Sequence, residues 1–437
     1  MFSKAIHYGR KNGLAALVSL LRERFGPLRS LTTWGQSGNW SADRETVLVV
    51  SHEASRTGAP ILALNLVQDL ARRYNVVVLL LGGGPLYEDF RDAGASVIVA
   101  SYLRVIPGLA ELSVGRLCGK FKFKFALVNS IESRVVLRPL KSNGVCTISL
   151  IHEFAAYTRP RDAFVQAASC SDELVFSTGV TLENALLEYP GLAERAVHTL
   201  PQGRCLVPSG GLTQEEELAE ATRIRKLIRP EGSPENTVVV VGAGSVILRK
   251  GVDKFIECAA QVVRAPGGGN CRFVWIGKGY DPDRDLRYSV YLEDQIRRAG
   301  LSGYLFFGEE TPAIQLVYEQ ADLFLLSSRL DPLPNVAIDA LAEGVPVLCF
   351  DKTTGIAEFL VESGLQDYCV AEYLDSSDMA SKILALADSQ ELRADVARRC
   401  RDASAAYFDM SHYVERLEYL CNEAYLRTKK QTKASFK

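Results

Sequence analysis

Short apolar runs alternate along most of the chain with longer segments whose apolar residues recur at helical spacing. A first series of runs predicts seven strands, at 47–51, 76–81, 96–100, 125–129, 147–151, 173–177 and 197–200. A second series predicts six, at 238–241, 272–276, 304–307, 322–326, 346–350 and 368–370. Alternation of this kind indicates parallel sheets with helices on both faces. The expected fold class is α/β, with two doubly wound, Rossmann-like domains that face an interdomain cleft.

A polar, acidic stretch rich in glycine and proline separates the two series and predicts a domain connection. The length of 437 residues allows two or three domains of the usual ~150 residues. The predicted segments are a basic helical extension at 1–45, a first domain at 46–206, a linker with one exposed helix at 207–236, a second domain at 237–410, and a helix with a basic tail at 411–437 that returns to the first domain.

The composition indicates a globular protein and makes a nucleic-acid partner or a zinc site improbable. A formal net charge of −2 with 47% apolar residues is ordinary for a globular protein and disfavours a nucleic-acid partner. Ten cysteines without a CxxC pair favour free thiols in a reducing cytoplasm over a zinc site. The apolar run 14–21 is too short to span a bilayer, but its basic flanks would suit an anionic membrane surface at the inner face of the cell membrane. The alternative is a solvated capping helix.

The segment 327–347 holds two carboxylates eight positions apart, Asp331 in a proline-rich loop and Asp339 in a helix. A buried strand precedes the loop, and Pro334 has the fixed φ that suits a first helical position. The N–H groups of such a helix start attract an anion, while carboxylates accept hydrogen bonds from hydroxyls. A ligand with both phosphate and hydroxyls, such as a nucleotide sugar, fits this pattern.

The loop after the first strand of the second series contains Gly242-Ala243-Gly244 and then Arg249-Lys250-Gly251. The third glycine of a GxGxxG motif is replaced by Ile247, and no acidic residue ends the next strand, which disfavours a nicotinamide cofactor. The two cations before a helix are suited to bind a diphosphate and to stabilise the negative charge that develops on it as it leaves. A solvated pair of surface charges is the alternative.

Three further motifs follow predicted strands. Gly58 lies where a helix begins and allows a close backbone approach to a ligand, although an ordinary turn explains it equally well. His152 could hydrogen-bond a sugar hydroxyl or carry a proton, or be structural. The acidic loop 281–285 resembles a metal-binding DxD motif, but a solvated surface is favoured there.

Together these motifs resemble the retaining glycosyltransferases of the GT-B fold, specifically family four with its E-x7-E signature, over roughly residues 47–360. The matching segments are Lys250-Gly251, the stretch 331–346, Gly355-Ile356-Ala357-Glu358 and, at the domain junction, Pro201-Gln202-Gly203. Two departures stand out. Both signature glutamates are aspartates here, each shorter by roughly 1.5 Å. The family's usual arginine before the lysine falls at Gly244 or Ser245, so Arg249 would have to replace it.

The resemblance implies roles for residues of this chain. As catalytic residues it implies His152, Arg249, Lys250 and Asp331, with the cations on the donor diphosphate and Asp331 facing the transferred sugar. Asp339 would bind the ribose hydroxyls. The implied donor-binding set is Gly58, Gly244, Pro334, Asn335, Val336, Asp339 and Glu358, with Gly58 in the acceptor-side loop of the first domain. Neither a metal ion nor a cofactor is implied, because the leaving diphosphate accepts the acceptor's proton.

The expected function is a hexosyltransferase-like, retaining, metal-independent glycosyltransferase of the cytoplasm or a peripheral membrane location. It would move a sugar from a nucleotide-sugar donor to a glycan or lipid-linked glycan acceptor in bacterial surface polysaccharide synthesis, which rests on the habit of the family. Two alternatives stay open. One is a nucleotide-sugar epimerase or hydrolase on the same fold, and the other is a catalytically silent sugar-nucleotide-binding subunit.

Overall fold

The structure is a computed structural model that describes residues 40–208 and 213–435. The predicted basic extension at 1–45 and its membrane contact lie almost entirely outside these residues. Two compact units form, each around its own sheet. Among the described residues, the first unit contains those up to Val175, residues 189–198 and those from Val414 onward, and the second contains the described residues of 176–188 and 199–413.

The first sheet contains the seven strands that the apolar runs predict. Its strands are β1 (Thr46–Ser51), β2 (Asn75–Leu80), β3 (Ser96–Val99), β4 (Phe123–Asn129), β5 (Cys146–Ile151), β6 (Glu173–Phe176) and β7 (Val197–Thr199). They lie in the order β3-β2-β1-β4-β5-β6-β7, and the pairs from β3 to β5 are parallel. The order reverses between β1 and β4, which is where ligands of such sheets bind.

The helices that follow these strands are α1 (Gly58–Leu70), α2 (Tyr87–Asp92), α3 (Ala110–Lys120), α4 (Leu137–Ser142), α5 (Ala163–Cys170) and α6 (Gly179–Glu188). Short 3₁₀ turns lie at Ser101–Arg104, Pro107–Leu109, Ile131–Val136, Ala155–Tyr157 and Pro190–Glu194. Helix α1 buries ten of its thirteen residues, because its apolar residues face the sheet.

The second sheet contains the six strands of the second series, all paired in parallel in the order β10-β9-β8-β11-β12-β13. Its strands are β8 (Val238–Ala243), β9 (Cys271–Ile276), β10 (Leu305–Gly308), β11 (Leu323–Leu326), β12 (Val347–Phe350) and β13 (Val370–Ala371). Every residue of β8 is buried, as expected for a central strand covered on both faces. The prediction of two doubly wound sheets is therefore confirmed.

The later helices are α7 (Gln214–Ile228), α8 (Val252–Arg264), α9 (Ser289–Ala299), α10 (Ile314–Tyr318), α11 (Asn335–Ala342), α12 (Gly355–Glu362), α13 (Gln366–Cys369), α14 (Ser376–Asp388), α15 (Gln390–Tyr407) and α16 (Met410–Ser435), with 3₁₀ turns at Leu248–Lys250 and Gly268–Asn270. Helix α7 begins with a capping box between Thr213 and Glu216 and buries Ile224 and Ile228. It therefore packs along one face, although most of its surface is exposed.

Two helices pack in a unit other than the one that directly precedes them in the chain, and only the first was predicted to do so. The chain from Val414 onward, most of α16, joins the first unit, where Glu418 pairs with Arg73 at 2.5 Å. Helix α6 directly follows β6 of the first sheet yet belongs to the second unit. The predicted first domain at 46–206 includes this helix, so the units differ from the prediction there.

Candidate active site

The loop after β8, which contains Lys250, packs against the loop after β11. Gly251 has a left-handed φ of 66°, and a Cβ there would lie 2.0 Å from the carbonyl oxygen of Ser327, so the turn requires glycine. Gly244 has a φ of 137°, and a Cβ there would lie 3.2 Å from Cε of Lys250. The lysine side chain therefore packs over the glycine, which gives Gly244 a role in positioning the cation.

Asp331 receives both predicted cations. Its side chain lies 2.5 Å from Nζ of Lys250 and 3.0 Å from Nη1 of Arg249, and the hydroxyl of Ser328 donates a hydrogen bond at 3.2 Å. Burial alone would raise the pKa of the Asp331 carboxyl, but the two cations outweigh burial and hold the pKa below its usual value. The site thus contains an ionised carboxylate with two positive partners.

A second ion pair holds the loop that contains Asp331. Arg329 binds Asp253 at the start of α8 with two bonds of 2.6 and 2.7 Å, and the hydroxyl of Tyr288 donates to the same carboxylate at 2.7 Å. The backbone N–H of Arg329 also donates to the carbonyl of Arg249 at 2.9 Å. A bidentate arginine–carboxylate pair of this kind adds geometric specificity as well as interaction energy. No motif in the sequence indicated this pair.

Helix α11 begins one residue later than predicted. Pro334, with ψ of 125°, is the extended residue that precedes the helix, and Asn335 is the first helical residue. Nε2 of Gln202 donates to Oδ1 of Asn335 at 2.6 Å. Nδ2 of Asn335 is buried and lacks a hydrogen-bond partner within the described chain, while the carbonyl of Val336 accepts from the hydroxyl of Tyr318 at 2.9 Å. An unused donor therefore remains at the start of this helix.

Asp339 is also buried, with 8% of its surface exposed, but it is separate from the lysine cluster. Nε of Arg204 donates to it at 3.1 Å, and Nη2 of the same arginine lies 2.5 Å from Glu343. Burial raises the pKa of Asp339 to about 6, although the arginine acts in the opposite direction. The implied ribose contact would thus add to, or replace, an existing ion pair. Arg204 follows the Pro201-Gln202-Gly203 motif, which is the signal that could have identified it.

Glu358 accepts hydrogen bonds from the backbone of a distant helix. Both carboxylate oxygens accept backbone hydrogen bonds, from Gly179 at 2.8 Å and from Val180 at 2.5 Å. Burial raises the pKa of Glu358, and these two bonds counteract it. The side chain caps the N-terminus of α6, where a negative charge is stabilising. This contact ties α6 to the second unit, to which the helix belongs.

The remaining predicted residues lie in the first unit. His152 follows β5, and its Nε2 lies 2.8 Å from Oδ1 of Asn129 at the end of β4. Gly58 is the first residue of α1 and is exposed, and a Cβ added there would meet nothing within 4 Å. Open space above Gly58 is compatible with a ligand, but its backbone does not require glycine.

The acidic groups of the described chain are not arranged for a metal ion. Within 40–208 and 213–435, no group of three or more His, Cys, Asp and Glu side chains could hold one. In the loop 281–285, Asp285 instead accepts from the N–H groups of Arg287 and Ser289, at 3.1 and 2.9 Å. This carboxylate therefore stabilises the turn before α9. None of the described helices combines the length and apolar character that crossing a membrane requires.

Comparison with known proteins shows which proteins this architecture is similar to. Residues 223–403 match the family model of the glycosyl transferases group 1. The solved structure of HepE from Anabaena with UDP-glucose is similar with a TM-score of 0.68, at 16% identity over 86% of this chain and 99% of that one. The GT-B fold and the resemblance to its glycosyltransferases are thereby confirmed. Retention and the aspartate version of the signature stay predictions.

Curated relatives match mainly part of the chain. The mannosylfructose-phosphate synthase of Agrobacterium fabrum is 27% identical over 45% of this chain and 41% of its own length. The lipopolysaccharide core biosynthesis glycosyltransferase of Rhizobium meliloti is 27% identical over 50% of this chain and 58% of its own. The chain thus spans about half the length of the curated relatives that it matches.

Proposed function

We propose that this protein is a glycosyltransferase that moves a sugar from a nucleotide-sugar donor to a glycan or lipid-linked glycan acceptor. One observation carries the proposal: Lys250, Arg249 and Asp331 form a single charged cluster in loops that follow two parallel strands. Ligands of doubly wound sheets bind beyond these strand ends. The cluster also lies within the segment that matches the glycosyltransferase family model.

The cluster contains what a sugar diphosphate requires. Two cations can bind the diphosphate oxygens and stabilise their charge as the bond to the sugar breaks. When Lys250 and Arg249 turn to the diphosphate, Asp331 loses its partners and needs new donors, because an unpaired buried carboxylate is costly. Sugar hydroxyls supply such donors. Donor binding would thus exchange an internal ion pair for two matched sets of contacts.

The reaction that we propose proceeds with retention and without a metal ion or cofactor. The bond between the anomeric carbon and the diphosphate oxygen breaks, and the acceptor oxygen bonds to the same face of that carbon. The acceptor's proton passes to the leaving diphosphate oxygen. Preorganised cations are the residues' main contribution, because they act on the charge that develops in the transition state.

The donor and acceptor are proposed at the level of class. UDP-sugars are the first donors to test, since HepE of similar fold binds UDP-glucose. Surface polysaccharide or glycolipid acceptors are favoured by the Rhizobium relative, whose name places it in lipopolysaccharide core synthesis. We further propose that the protein acts in the cytoplasm, at the inner face of the membrane where lipid-linked acceptors are found.

The test compares Lys250→Ala and Asp331→Asn with the unaltered enzyme, using a donor found by thermal shift over a panel of nucleotide sugars. A ligand at 100 times its Kd adds about 2.7 kcal/mol of stability. Each variant should lower kcat by about 10²- to 10³-fold, the range seen for loss of one preorganised donor to a developing charge. Lys254→Ala is the matched control, because Lys254 makes a 2.7 Å ion pair with Glu257 on helix α8, outside this cluster.

Near-normal transfer by both variants would refute the proposal. Product analysis by NMR separates the alternatives on the same fold. An epimerase changes the sugar without any acceptor, a hydrolase releases it to water, and a silent subunit binds the donor without turnover. A transferase forms its new glycosidic bond only when an acceptor is present, and the configuration of that bond reports retention.

A further inference from the structure

A chain of three polar groups lies at the carboxyl edge of the first sheet, next to the point where the strand order reverses. Asn129 is the last residue of β4 and is fully buried. His152 follows β5, the next strand in the sheet. The third group is the carbonyl of Ala59, in the first turn of α1. Asn129 connects the other two.

The hydrogen bonds of Asn129 fix the direction of its amide. Its Nδ2 donates to the carbonyl oxygen of Ala59 at 2.6 Å, and that oxygen can only accept. The amide nitrogen therefore faces α1, and Oδ1 faces Nε2 of His152 at 2.8 Å. An amide oxygen is likewise only an acceptor. The ring nitrogen that meets it must carry the proton, so His152 has its proton on Nε2.

The other ring nitrogen then has a defined character. A neutral imidazole has one proton, so Nδ1 of His152 keeps its lone pair and accepts hydrogen bonds. Burial lowers the pKa of His152 to about 4, and the neighbouring His52 acts in the same direction, so the ring is neutral near pH 7. In this state Nδ1 accepts a hydrogen bond from a donor such as a hydroxyl, and it cannot donate a proton.

We propose that Asn129 is a positioning residue that holds His152 in the Nε2-protonated tautomer, with Nδ1 presented as the acceptor for a sugar hydroxyl. This role rests on the proposed function, since it needs a sugar ligand. It also separates His152 from general acid catalysis. The Asn129 amide is buried and both of its polar ends are used, which is what a residue that sets a tautomer requires.

The first measurement needs neither substrate nor a variant of Asn129. Nitrogen-15 NMR of histidine-labelled protein distinguishes protonated from unprotonated ring nitrogens, and His152→Gln identifies the His152 signals among the five histidines. The expected pattern at pH 7 is a protonated Nε2 and an unprotonated Nδ1. A protonated Nδ1 would overturn the inference, while leaving the proposed transferase activity intact.

The second measurement replaces Asn129 by leucine, which is similar in size and lacks both hydrogen-bonding groups. The matched control is Asn75→Leu, because Asn75 is also buried, at the amino end of β2, and also uses both ends of its amide, with Ser41 and Arg44. Asn129→Leu should mix the two His152 tautomers and lower kcat/KM for the donor about tenfold, the value of one hydrogen bond. Asn75→Leu should change neither.

The outcomes separate the two proposals. If Lys250→Ala and Asp331→Asn both keep near-normal transfer activity, the proposed function fails, whatever the tautomer of His152. If transfer depends on Lys250 but Asn129→Leu keeps both the His152 tautomer and kcat/KM, then the positioning role of Asn129 is wrong. Equal losses in Asn129→Leu and Asn75→Leu would assign both asparagines to stability alone and would also overturn the role.

Discussion

Replacing Asp339 by asparagine should stabilise the protein at neutral pH and at the same time weaken donor binding. Asp339 is buried, and its pKa is raised from 3.8 to about 6 even though Arg204 lies 3.1 Å away. The folded protein therefore holds a charge that burial opposes. Asparagine keeps an oxygen that can accept from Arg204 and cannot ionise, so it removes the cost of the charge while it preserves the shape.

The magnitude follows from the shift. A group with a raised folded pKa contributes its full stability below the unfolded pKa and loses it as the pH rises through the folded pKa. A rise in the pKa from 3.8 to about 6 corresponds to about 3 kcal/mol, because a tenfold change in an equilibrium constant is about 1.4 kcal/mol. Asp339→Asn should thus exceed the unaltered protein in stability by about 3 kcal/mol at pH 7.5, and by about 1 kcal/mol at pH 4.5, where Asp339 is mostly protonated in the folded state and mostly ionised in the unfolded state.

Urea unfolding at the two pH values measures this difference. Trp275 on β9 is buried in the second unit and reports its unfolding by fluorescence, provided that Trp34 and Trp40 are replaced by phenylalanine in every protein compared. Glu343→Gln is the matched control, because Glu343 shares the partner Arg204 but its side chain is 41% exposed. An exposed carboxylate avoids the burial cost, so this control should gain little.

A destabilising charge at Asp339 is refuted if Asp339→Asn is no more stable than the unaltered protein at pH 7.5, or if its gain in stability does not grow between pH 4.5 and pH 7.5. Such a result would mean that Arg204 fully compensates the buried charge. The donor KM provides the second half of the test. A buried charge that lowers stability is often retained for function. A stabilised variant with an unchanged donor KM would therefore remove Asp339 from the donor site.

Three further predictions concern backbone and capping residues. Gly251→Ala should destabilise the second unit by more than ~1 kcal/mol in urea unfolding, because the φ of residue 251 is 66° and a Cβ there would meet Ser327. A variant as stable as the unaltered protein would contradict the requirement for glycine in this turn. Gly58→Ala should fold normally by circular dichroism, since its Cβ would meet nothing within 4 Å, so any loss of kcat/KM would come from a ligand that approaches there. Glu358→Ala should lower the free energy of unfolding by ~1–2 kcal/mol, because α6 loses its cap, and should leave the donor KM unchanged. If the donor KM rises under conditions where the variant is fully folded, the implied donor-binding role of Glu358 is supported instead.

The strands illustrate how much of the fold is predictable. The thirteen apolar runs all form strands, within a few residues of the predicted limits, because buried parallel strands need apolar residues on both faces. Helix α11 begins at Asn335 rather than at Pro334, a local difference of one residue. Helix α6 is a larger departure. Its sequence predicts a helix. Nothing in the local sequence indicates that the helix belongs to the second unit, where Glu358, 178 positions from Val180, caps it.

The site shows the same division. The sequence placed Lys250, Asp331 and His152 after strands, where side chains of a parallel sheet become available to a ligand. It did not reveal what each one contacts. Lys250 and Asp331 are 81 positions apart, and Arg204 and Asp339 are 135 apart, so these pairs exist only through the packing of distant segments.

The sequence by itself therefore determined the class of fold, the strand ends that hold the candidate chemistry and the residue types available there, because these depend on local periodicity and turn chemistry. Only the tertiary structure decided the state of each group. Long-range cationic partners keep Asp331 ionised against the effect of burial, burial raises the pKa of Asp339, and a long-range hydrogen bond directs the amide of Asn129 towards His152. Charge and proton position depend on every neighbour in space, and those neighbours come from segments that the chain order does not bring together.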